Sequence, residues 1–269
     1  MAIIHHYATA FERECSEGDL RSSIPAAFAT GAAPTTGSRF VFINTAELIA
    51  ALRDEGFRPT EVLQSRSRRS NAGYARHMLR FRHIRDSVTL VDAIPELILI
   101  NAHDGTSAYQ LRSGLYRPIC TNGMMTELGD FGLIRIPHRG DIVTNVVEGA
   151  RHISHGFADL GRVVEQMARR ELTRAEQLRF AENAALIRYC NGRAAPYPAE
   201  TLLKPRRPDD VGPDLWHVYN VVHEHLMTGG DAGRTASGRN ITSRRINEIR
   251  ENVRINTTLW QLAMEMIRS

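Results

Sequence analysis

The segment "ELILINAHDGTSAYQLR" (Glu96–Arg112) decides the fold. It begins with an apolar run, Glu96–Asn101, and resumes a strand pattern at Ala108–Arg112. Between them stands the dipeptide Asp104–Gly105, which favours a hairpin turn. The segment therefore predicts two antiparallel strands, and it places His103 beside an aspartate in the turn that joins them.

Other strand patterns flank this hairpin. Upstream, Glu61–Arg68 and Tyr74–Ile84 are typical of strands, and downstream Leu115–Cys120 continues the sheet. A short strand is expected at Phe40–Asn44, where Asn44 caps a helix that ends at Gly56. Alternation in the second pattern places five residues on one face of that strand, namely Tyr74, Arg76, Met78, Arg80 and Arg82.

The hydrophobic period changes after Asp141, a good helix N-cap. An apolar stripe from Ile142 to Met167 predicts one helix of about 28 residues, long enough to cross a sheet. Further helices are expected at Arg174–Tyr189, Asp214–Met227 and Arg244–Arg268, with loops at Lys204–Asp210 and Thr228–Asn240.

These elements predict an α+β fold, with a curved, mainly antiparallel sheet crossed by a long helix and followed by a helical C-terminal part. The expected organisation is an N-terminal extension and linker over residues 1–38, an α+β core over 39–172 and a helical region over 173–269.

Composition narrows the class of protein. The chain has 269 residues, a net charge of +4, and 34 lysines and arginines, of which only Lys204 is a lysine. Its positive charge is therefore almost all guanidinium, which binds phosphate and carboxylate in planar pairs. No apolar run approaches the ~18–20 residues of a membrane span, and the start lacks a signal-peptide pattern. Three widely spaced cysteines form no disulfide framework, so a cytoplasmic protein with reduced thiols and no membrane partner is expected.

Several segments resemble the domain of unknown function 932 family, and within it the YfjQ/YafZ/YubP-like proteins of plasmids and prophages. The matching segments are "LRDEGFRP" (52–59), "YARHMLRFR" (74–82), "NAHDGTSAYQ" (101–110), "CTNG" (120–123), "IRIPHRGDIV" (134–143), "DLWHVYN" (214–220) and "GGDAGRTASGRN" (229–240). This sequence departs slightly from the family, with Ala102 where relatives commonly carry serine and Arg239 where some carry lysine. The resemblance implies carriage by a mobile element and supplies no reaction.

Arginines form the first candidate site. If the strands pair, the strand arginines and one tyrosine would make a cationic track suited to a phosphate backbone with stacked bases. These residues are Arg66, Arg68, Arg69, Tyr74, Arg76, Arg80 and Arg82. The segment "GRTASGRN" imitates a phosphate loop, but it follows a helix and has Asn240 in place of the magnesium-binding hydroxyl. It predicts instead a clamp for a nucleic-acid backbone, made by Arg234, Arg239, Arg244 and Arg245.

A metal-dependent hydrolase or nuclease is the alternative, with His103, Asp104, His138 and Asp141 around a divalent metal. In the plainer interpretation Asp104–Gly105 only reverses the chain and Asp141 only caps a helix. Cys120 is a candidate nucleophile or a small buried residue. His152, His155 and Asp159 have metal-like spacing on the long helix, or else form its polar face.

Three functional hypotheses follow from the sequence. The first is a non-catalytic accessory protein of a mobile element that binds single-stranded or recombining DNA without a cofactor. Its order of elements is similar in outline to strand-annealing proteins, and a homo-oligomer would extend the groove. The second is the metal-dependent enzyme. The third is an anti-defence protein whose arginines bind an acidic host partner.

Overall fold

A computed structural model of the chain describes residues 14–65, 72–84, 91–120, 122–127, 129–189 and 195–268. Its α-helices are α1 (Glu17–Ser23), α2 (Thr45–Asp54), α3 (Ile142–His155), α4 (Phe157–Arg169), α5 (Arg174–Arg188), α6 (Leu215–Thr228) and α7 (Ile249–Arg268). Its strands are β1 (Phe57–Gln64), β2 (His77–His83), β3 (Ile94–Asn101), β4 (Tyr109–Arg117), β5 (Asn122–Met125), β6 (Leu133–Ile136), β7 (Ala232–Arg234) and β8 (Asn240–Thr242).

The chain folds into two compact units. The first takes Met1–Pro118 and Thr126–Ala158, and the second takes Ile119–Met125 and Asp159–Ser269. The division falls inside the stretch predicted as one long helix. Among the described residues, no helix combines the length and apolar character needed to cross a bilayer.

An antiparallel sheet forms the frame of the first unit. Its strands run in the order β1-β2-β3-β4, and β6 also pairs with β4. The predicted hairpin is confirmed: β3 and β4 pair in antiparallel register, with Leu99 opposite Leu111. Gly105 adopts φ 76° in the connecting turn, a conformation that glycine reaches without steric cost. The α+β fold class is therefore confirmed.

Helices α2 and α3 cover one face of this sheet. Leucines of β2, β3 and β4 pack with Leu48 and Leu52 of α2 and with Val146 and Ile153 of α3 in one buried cluster. Both predicted caps are confirmed, since Asn44 accepts a hydrogen bond from the α2 backbone and Asp141 from the α3 backbone. The predicted strand at Phe40–Asn44 is wrong, because Phe40–Ile43 lacks strand pairing.

The predicted helix of 28 residues is also wrong, because the chain forms α3 and α4 with a break at Gly156. The Gly156 N–H bonds to Ile153 O and Ser154 O, so the regular helical ladder is interrupted there. A Cβ at this position would lie 2.5 Å from the Phe131 side chain. Only glycine allows the helix end to pass this close to Phe131.

The second unit is mainly helical and carries a small β-hairpin. α5 begins at a capping box made by Thr173 and Glu176, and α6 is capped by Asp214. The stretch predicted as a loop over Thr228–Asn240 contains β7 and begins β8, and these strands pair with Gly233 opposite Ile241.

A candidate nucleic-acid interface and a buried histidine network

Residues 232–242 form the hairpin of the second unit, called here the C-terminal hairpin. Its tip is closed by a hydrogen bond from Thr235 N to Arg239 O at 2.9 Å. Gly238 has φ 81° in this turn, and Gly233 lies where a Cβ would be 2.3 Å from Pro196 O. The glycines of the "GGDAGRTASGRN" segment are therefore explained by backbone conformation and close packing.

The base of the C-terminal hairpin is held by the buried carboxylate of Asp231. This carboxylate accepts hydrogen bonds from Ser243 Oγ at 3.1 Å and from Arg206 Nη2 at 3.2 Å. It also lies 2.6 Å from His225 Nδ1, and the other nitrogen of that ring lies 2.8 Å from Lys204 O. Charge-assisted hydrogen bonds to a buried group are stronger than neutral ones. They hold the base of the C-terminal hairpin in place against the rest of the second unit.

Four exposed arginines follow the C-terminal hairpin and its continuation, and we call them the hairpin arginines. They are Arg234, Arg239, Arg244 and Arg245. Within the described part of the chain, none of their guanidinium groups forms an ion pair or a hydrogen bond. Their charge is therefore available to an external anion.

The predicted track of strand arginines does not form as expected. Arg80 and Arg82 are only 1% and 5% exposed, and both pair with the fully buried Glu96, at 2.8 and 3.0 Å. The prediction that they belong to a cationic track available to a polyanion is wrong, because β3 brings a carboxylate beside them. The Arg82 guanidinium also stacks 3.7 Å from the centre of the Tyr116 ring.

The other predicted members of that track do not form a common surface among the described residues. Tyr74 lies in a 3-10 turn before β2 and not in the strand. Arg76 is half-buried and donates from Nη2 to Thr106 O at 3.3 Å. Arg66, Arg68 and Arg69 lie outside the described residues. No continuous guanidinium track can be built from the described members.

His103 and His138, which sequence analysis grouped around a metal, belong to a buried hydrogen-bonded network at one end of the sheet. The histidine network consists of Thr45, His77, Asn101, His103 and His138. Phe40 stacks on the His138 ring at 4.1 Å between ring centres, and the Phe42 ring lies 4.9 Å from that of His103. These aromatic rings shield the network from water.

The direction of each bond in the network follows from its fixed acceptors. His77 Nδ1 lies 3.0 Å from Ala75 O, so it carries the proton, and Nε2 accepts from the Thr45 hydroxyl at 2.9 Å. With that hydroxyl proton used, His103 Nε2 donates to Thr45 Oγ1 at 3.2 Å. His103 Nδ1 then accepts from Asn101 Nδ2 at 3.4 Å. The chain of bonds thus runs in one direction through two neutral rings.

His138 ends this chain with both ring nitrogens against acceptors. Nε2 lies 3.1 Å from both Asn101 Oδ1 and Ser107 O, and Nδ1 lies 3.2 Å from Val41 O. Burial lowers the pKa of all three histidines, to about 4 for His77 and about 3 for His103. The network is therefore neutral at physiological pH and ties α2, β2, β3 and two loops together.

The two aspartates of the proposed metal site serve local structure instead. Asp104 Oδ1 accepts from Thr106 N at 2.9 Å and from Thr106 Oγ1 at 2.6 Å, which forms a turn. Asp141 accepts from Thr144 N at 3.1 Å as the cap of α3. Among the described residues, no group of three or more histidine, cysteine, aspartate or glutamate side chains is arranged to hold a metal ion. The geometry does not assemble the predicted two-histidine, two-aspartate site.

The remaining candidates are also dispersed. Cys120 is 5% exposed and so is not presented to solvent. His152 is exposed and stacks on Phe131, with ring centres 4.9 Å apart. Asp159 lies on α4 and pairs with Arg162, whereas His152 and His155 lie on α3. Because the helix breaks at Gly156, the two histidines and Asp159 do not lie on one helix, and the predicted metal-like spacing is not formed.

The residues that anchor the C-terminal hairpin were not predicted from the sequence; they are Arg206, His225 and Asp231. Arg207 lies beside them and pairs with Glu224 at 2.6 Å. The available signal was the run "HEH" at 223–225 together with the charged segment "KPRRPDD" at 204–210. Several charged residues on a largely buried helix need partners, and a nearby charged loop is the natural source.

Comparison with known proteins identifies relatives over most of the chain. Residues 34–260 match the family described as domain of unknown function (DUF932). The chain is 33% identical over 257 residues to the UPF0380 protein YafZ of Escherichia coli (strain K12), covering 95% of this chain and 93% of that protein. It is 32% identical over 257 residues, with the same coverage, to the UPF0380 protein YfjQ of the same organism. No solved structure matches. The chain therefore belongs to the DUF932 family.

Proposed function

We propose that this protein is a non-catalytic nucleic-acid-binding accessory protein of a mobile element, acting on DNA in the cytoplasm through the hairpin arginines. The observation that carries the proposal is the exposure of these four guanidinium groups without a carboxylate partner among the described residues. Guanidinium groups left unpaired on a surface bind phosphate in planar, bidentate geometry.

The length of the surface supports a polymeric anion. Arg244 lies five positions after Arg239 along an extended segment, which at ~3.3 Å per residue is about 17 Å. Successive base pairs of DNA rise ~3.4 Å, so this distance corresponds to about five base pairs. A nucleic-acid backbone presents phosphates along that whole length, whereas one small anion would meet only one or two of the arginines.

The charge balance around the C-terminal hairpin also supports the proposal. The nearest carboxylate in sequence, Asp231, is already bonded to Arg206, His225 and Ser243. Beyond the hairpin, Glu248 accepts from Glu251 N at 2.8 Å, and Glu251 pairs with Arg254 at 2.6 Å. In the part of the chain that the structure describes, none of these three carboxylates forms an ion pair with a hairpin arginine.

A salt-dependent titration tests the proposal. The probe is a fluorescent DNA with a duplex half and a single-stranded half, so that the result does not depend on strand form. Four phosphate contacts give a log–log salt slope of about −2.8 on single strands to −3.6 on duplex. A fourfold rise in salt should therefore weaken binding by about 50- to 150-fold.

Two fourfold arginine-to-alanine variants make the test specific. The first replaces the hairpin arginines and should abolish the salt-dependent binding. The control replaces Arg162, Arg169, Arg174 and Arg268, which are exposed arginines of the same unit, and removes the same charge. It should keep more than half of the affinity.

Two results would overturn the proposal. One is binding that is absent or independent of salt. The other is equal loss in the two variants, since general charge would then explain the binding. Capture of an acidic protein from nuclease-treated lysate by a chain that does not bind DNA would point to the host-partner hypothesis instead.

A further inference from the structure

The geometry points to B-form duplex DNA as the ligand, with the tip of the C-terminal hairpin entering the major groove. This inference rests on the proposed function and narrows it to one form of nucleic acid. It differs from the single-stranded or recombining DNA expected from the sequence, because the sequence predicted a loop where the structure forms a two-stranded hairpin.

The width of the hairpin fits this groove. The backbones of neighbouring strands lie ~4.8 Å apart. The major groove of B-form DNA is ~12 Å wide and admits a two-stranded ribbon, whereas its minor groove is ~6 Å wide. The deep groove of A-form RNA is too narrow for such entry.

The tip is slender and rich in donors. Between Arg234 and Arg239 the chain carries only Thr235, Ala236, Ser237 and Gly238, and residues 236–240 are all exposed. The backbone N–H groups of Ala236 and Ser237 donate no hydrogen bond to any described residue. Small residues let the backbone approach the DNA, and the two arginines flank the tip at positions suited to phosphates or to guanine edges.

The hairpin also lacks what single-strand binding requires. Residues 232–242 include no phenylalanine, tyrosine or tryptophan. Proteins that hold single strands combine basic grooves with aromatic side chains on which the bases stack. A ribbon with arginines and no stacking ring is suited to backbone and groove contacts, which a duplex provides.

Three labelled ligands of equal length test the inference by fluorescence anisotropy: a 20-base-pair DNA duplex, one of its strands, and the same sequence as duplex RNA. We expect the DNA duplex to bind at least tenfold more tightly than either of the others. Its salt slope should be about −3.6, and each hairpin arginine removed should lower the magnitude of that slope by about 1.

A change at Ser237 separates groove entry from simple charge. Ser237→Trp leaves the charge unchanged, widens the tip and supplies a stacking ring. It should weaken duplex binding at least fivefold and leave single-strand binding equal or stronger. Ser237→Ala, the matched control, should change neither by more than twofold, since the side chain is exposed and, among the described residues, its Oγ forms a hydrogen bond only with Thr235 Oγ1, at 2.9 Å.

The outcomes are distinguishable. Single strands bound as tightly as duplex DNA, with loss in the hairpin-arginine variant, would retain the proposed function and overturn the duplex assignment. Equal binding of duplex RNA would overturn the B-form assignment. Duplex affinity unchanged by Ser237→Trp would overturn groove entry by the tip. No binding to any of the three ligands would refute the proposed function itself.

Discussion

Acidification should destabilise the first unit through the histidine network. The pKa values of His77 and His103 fall from 6.5 to about 4 and about 3 in the folded chain, because burial penalises their charged forms. Between pH 6.5 and about pH 4 the unfolded chain therefore binds more protons than the folded chain. Stability is complete above pH 6.5 and falls as the pH drops below it.

The magnitude follows from these shifts. At about pH 5, each histidine that is protonated only in the unfolded chain lowers the free energy of unfolding by about 2 kcal/mol, since one pH unit corresponds to ~1.36 kcal/mol. His77 and His103 together give a loss of about 4 kcal/mol relative to neutral pH. His138 acts in the same direction, since burial lowers its pKa as well. A loss of this size is a large fraction of a total stability of ~5–15 kcal/mol.

The assay must report on the first unit. Trp216 and Trp260 both lie in the second unit, so their fluorescence follows the wrong part of the chain. Hydrogen exchange of peptides from β2 and β3, measured at increasing urea and at two pH values, gives the local free energy of opening. The control His152→Gln, at an exposed histidine of α3, should keep the full pH dependence.

Two results would refute this reasoning. One is an opening free energy of β2 and β3 that is equal at pH 7.5 and about pH 5. The other comes from a nuclear magnetic resonance titration of the unmodified, histidine-labelled protein. There the His77 and His103 rings should remain neutral at about pH 5, and titration near pH 6.5 would show that burial does not lower their pKa values. This second measurement does not require a variant that folds.

Three further changes test the packing of buried groups. Glu96→Gln should lower the free energy of unfolding, measured in urea, by about 3–5 kcal/mol, because two buried guanidinium groups lose their common counter-charge. The control Glu14→Gln, which removes one partner of a partly exposed ion pair, should lower it by less than about 1 kcal/mol. Equal losses in the two variants would contradict this prediction. Tyr219→Phe should lower the free energy of unfolding by less than about 0.5 kcal/mol, or raise it, because the buried hydroxyl has no hydrogen-bond partner among the described residues. A loss above about 1 kcal/mol in a thermal melt would indicate that the hydroxyl has a partner. Gly233→Ala should lower the free energy of opening of the C-terminal hairpin, measured by hydrogen exchange, by about 1–3 kcal/mol, since the new Cβ would lie 2.3 Å from the Pro196 carbonyl oxygen. The control Gly37→Ala should leave the hairpin unchanged, because a Cβ there would meet open space. Equal protection of the hairpin in the two variants would refute the close contact.

Much of the first unit was predictable because its signals are local. The β3–β4 hairpin, with Asp104–Gly105 at its turn, depends on residues adjacent in the chain. The cap of α3 needs only Asp141 and a residue three positions on, and it formed as predicted. The strand pattern at Tyr74–Ile84 was correct for β2, although the strand begins later, at His77.

The candidate sites were predicted less well, because they depend on contacts between distant segments. Sequence alternation placed Arg80 and Arg82 on one face of β2 but could not show that Glu96, 14–16 positions away, would lie beside them. The same limitation hid Asp231, whose role comes from its partners in three other segments. The hairpin arginines were identified because their separation along the chain is short.

The sequence by itself determined the hairpin of the sheet, the helix caps and the cationic character of the C-terminal segment, because each depends on residues within a few positions of one another. Tertiary structure decided which charges stay available. Strand pairing buries two arginines against one carboxylate, whereas the C-terminal hairpin and its continuation leave four arginines exposed. It also decided that the histidines join a neutral network and not a metal site, because only the folded chain brings Thr45 and Asn101 between their rings. The physical reason is that desolvation and pairing act on neighbours in space, which the order of residues does not specify.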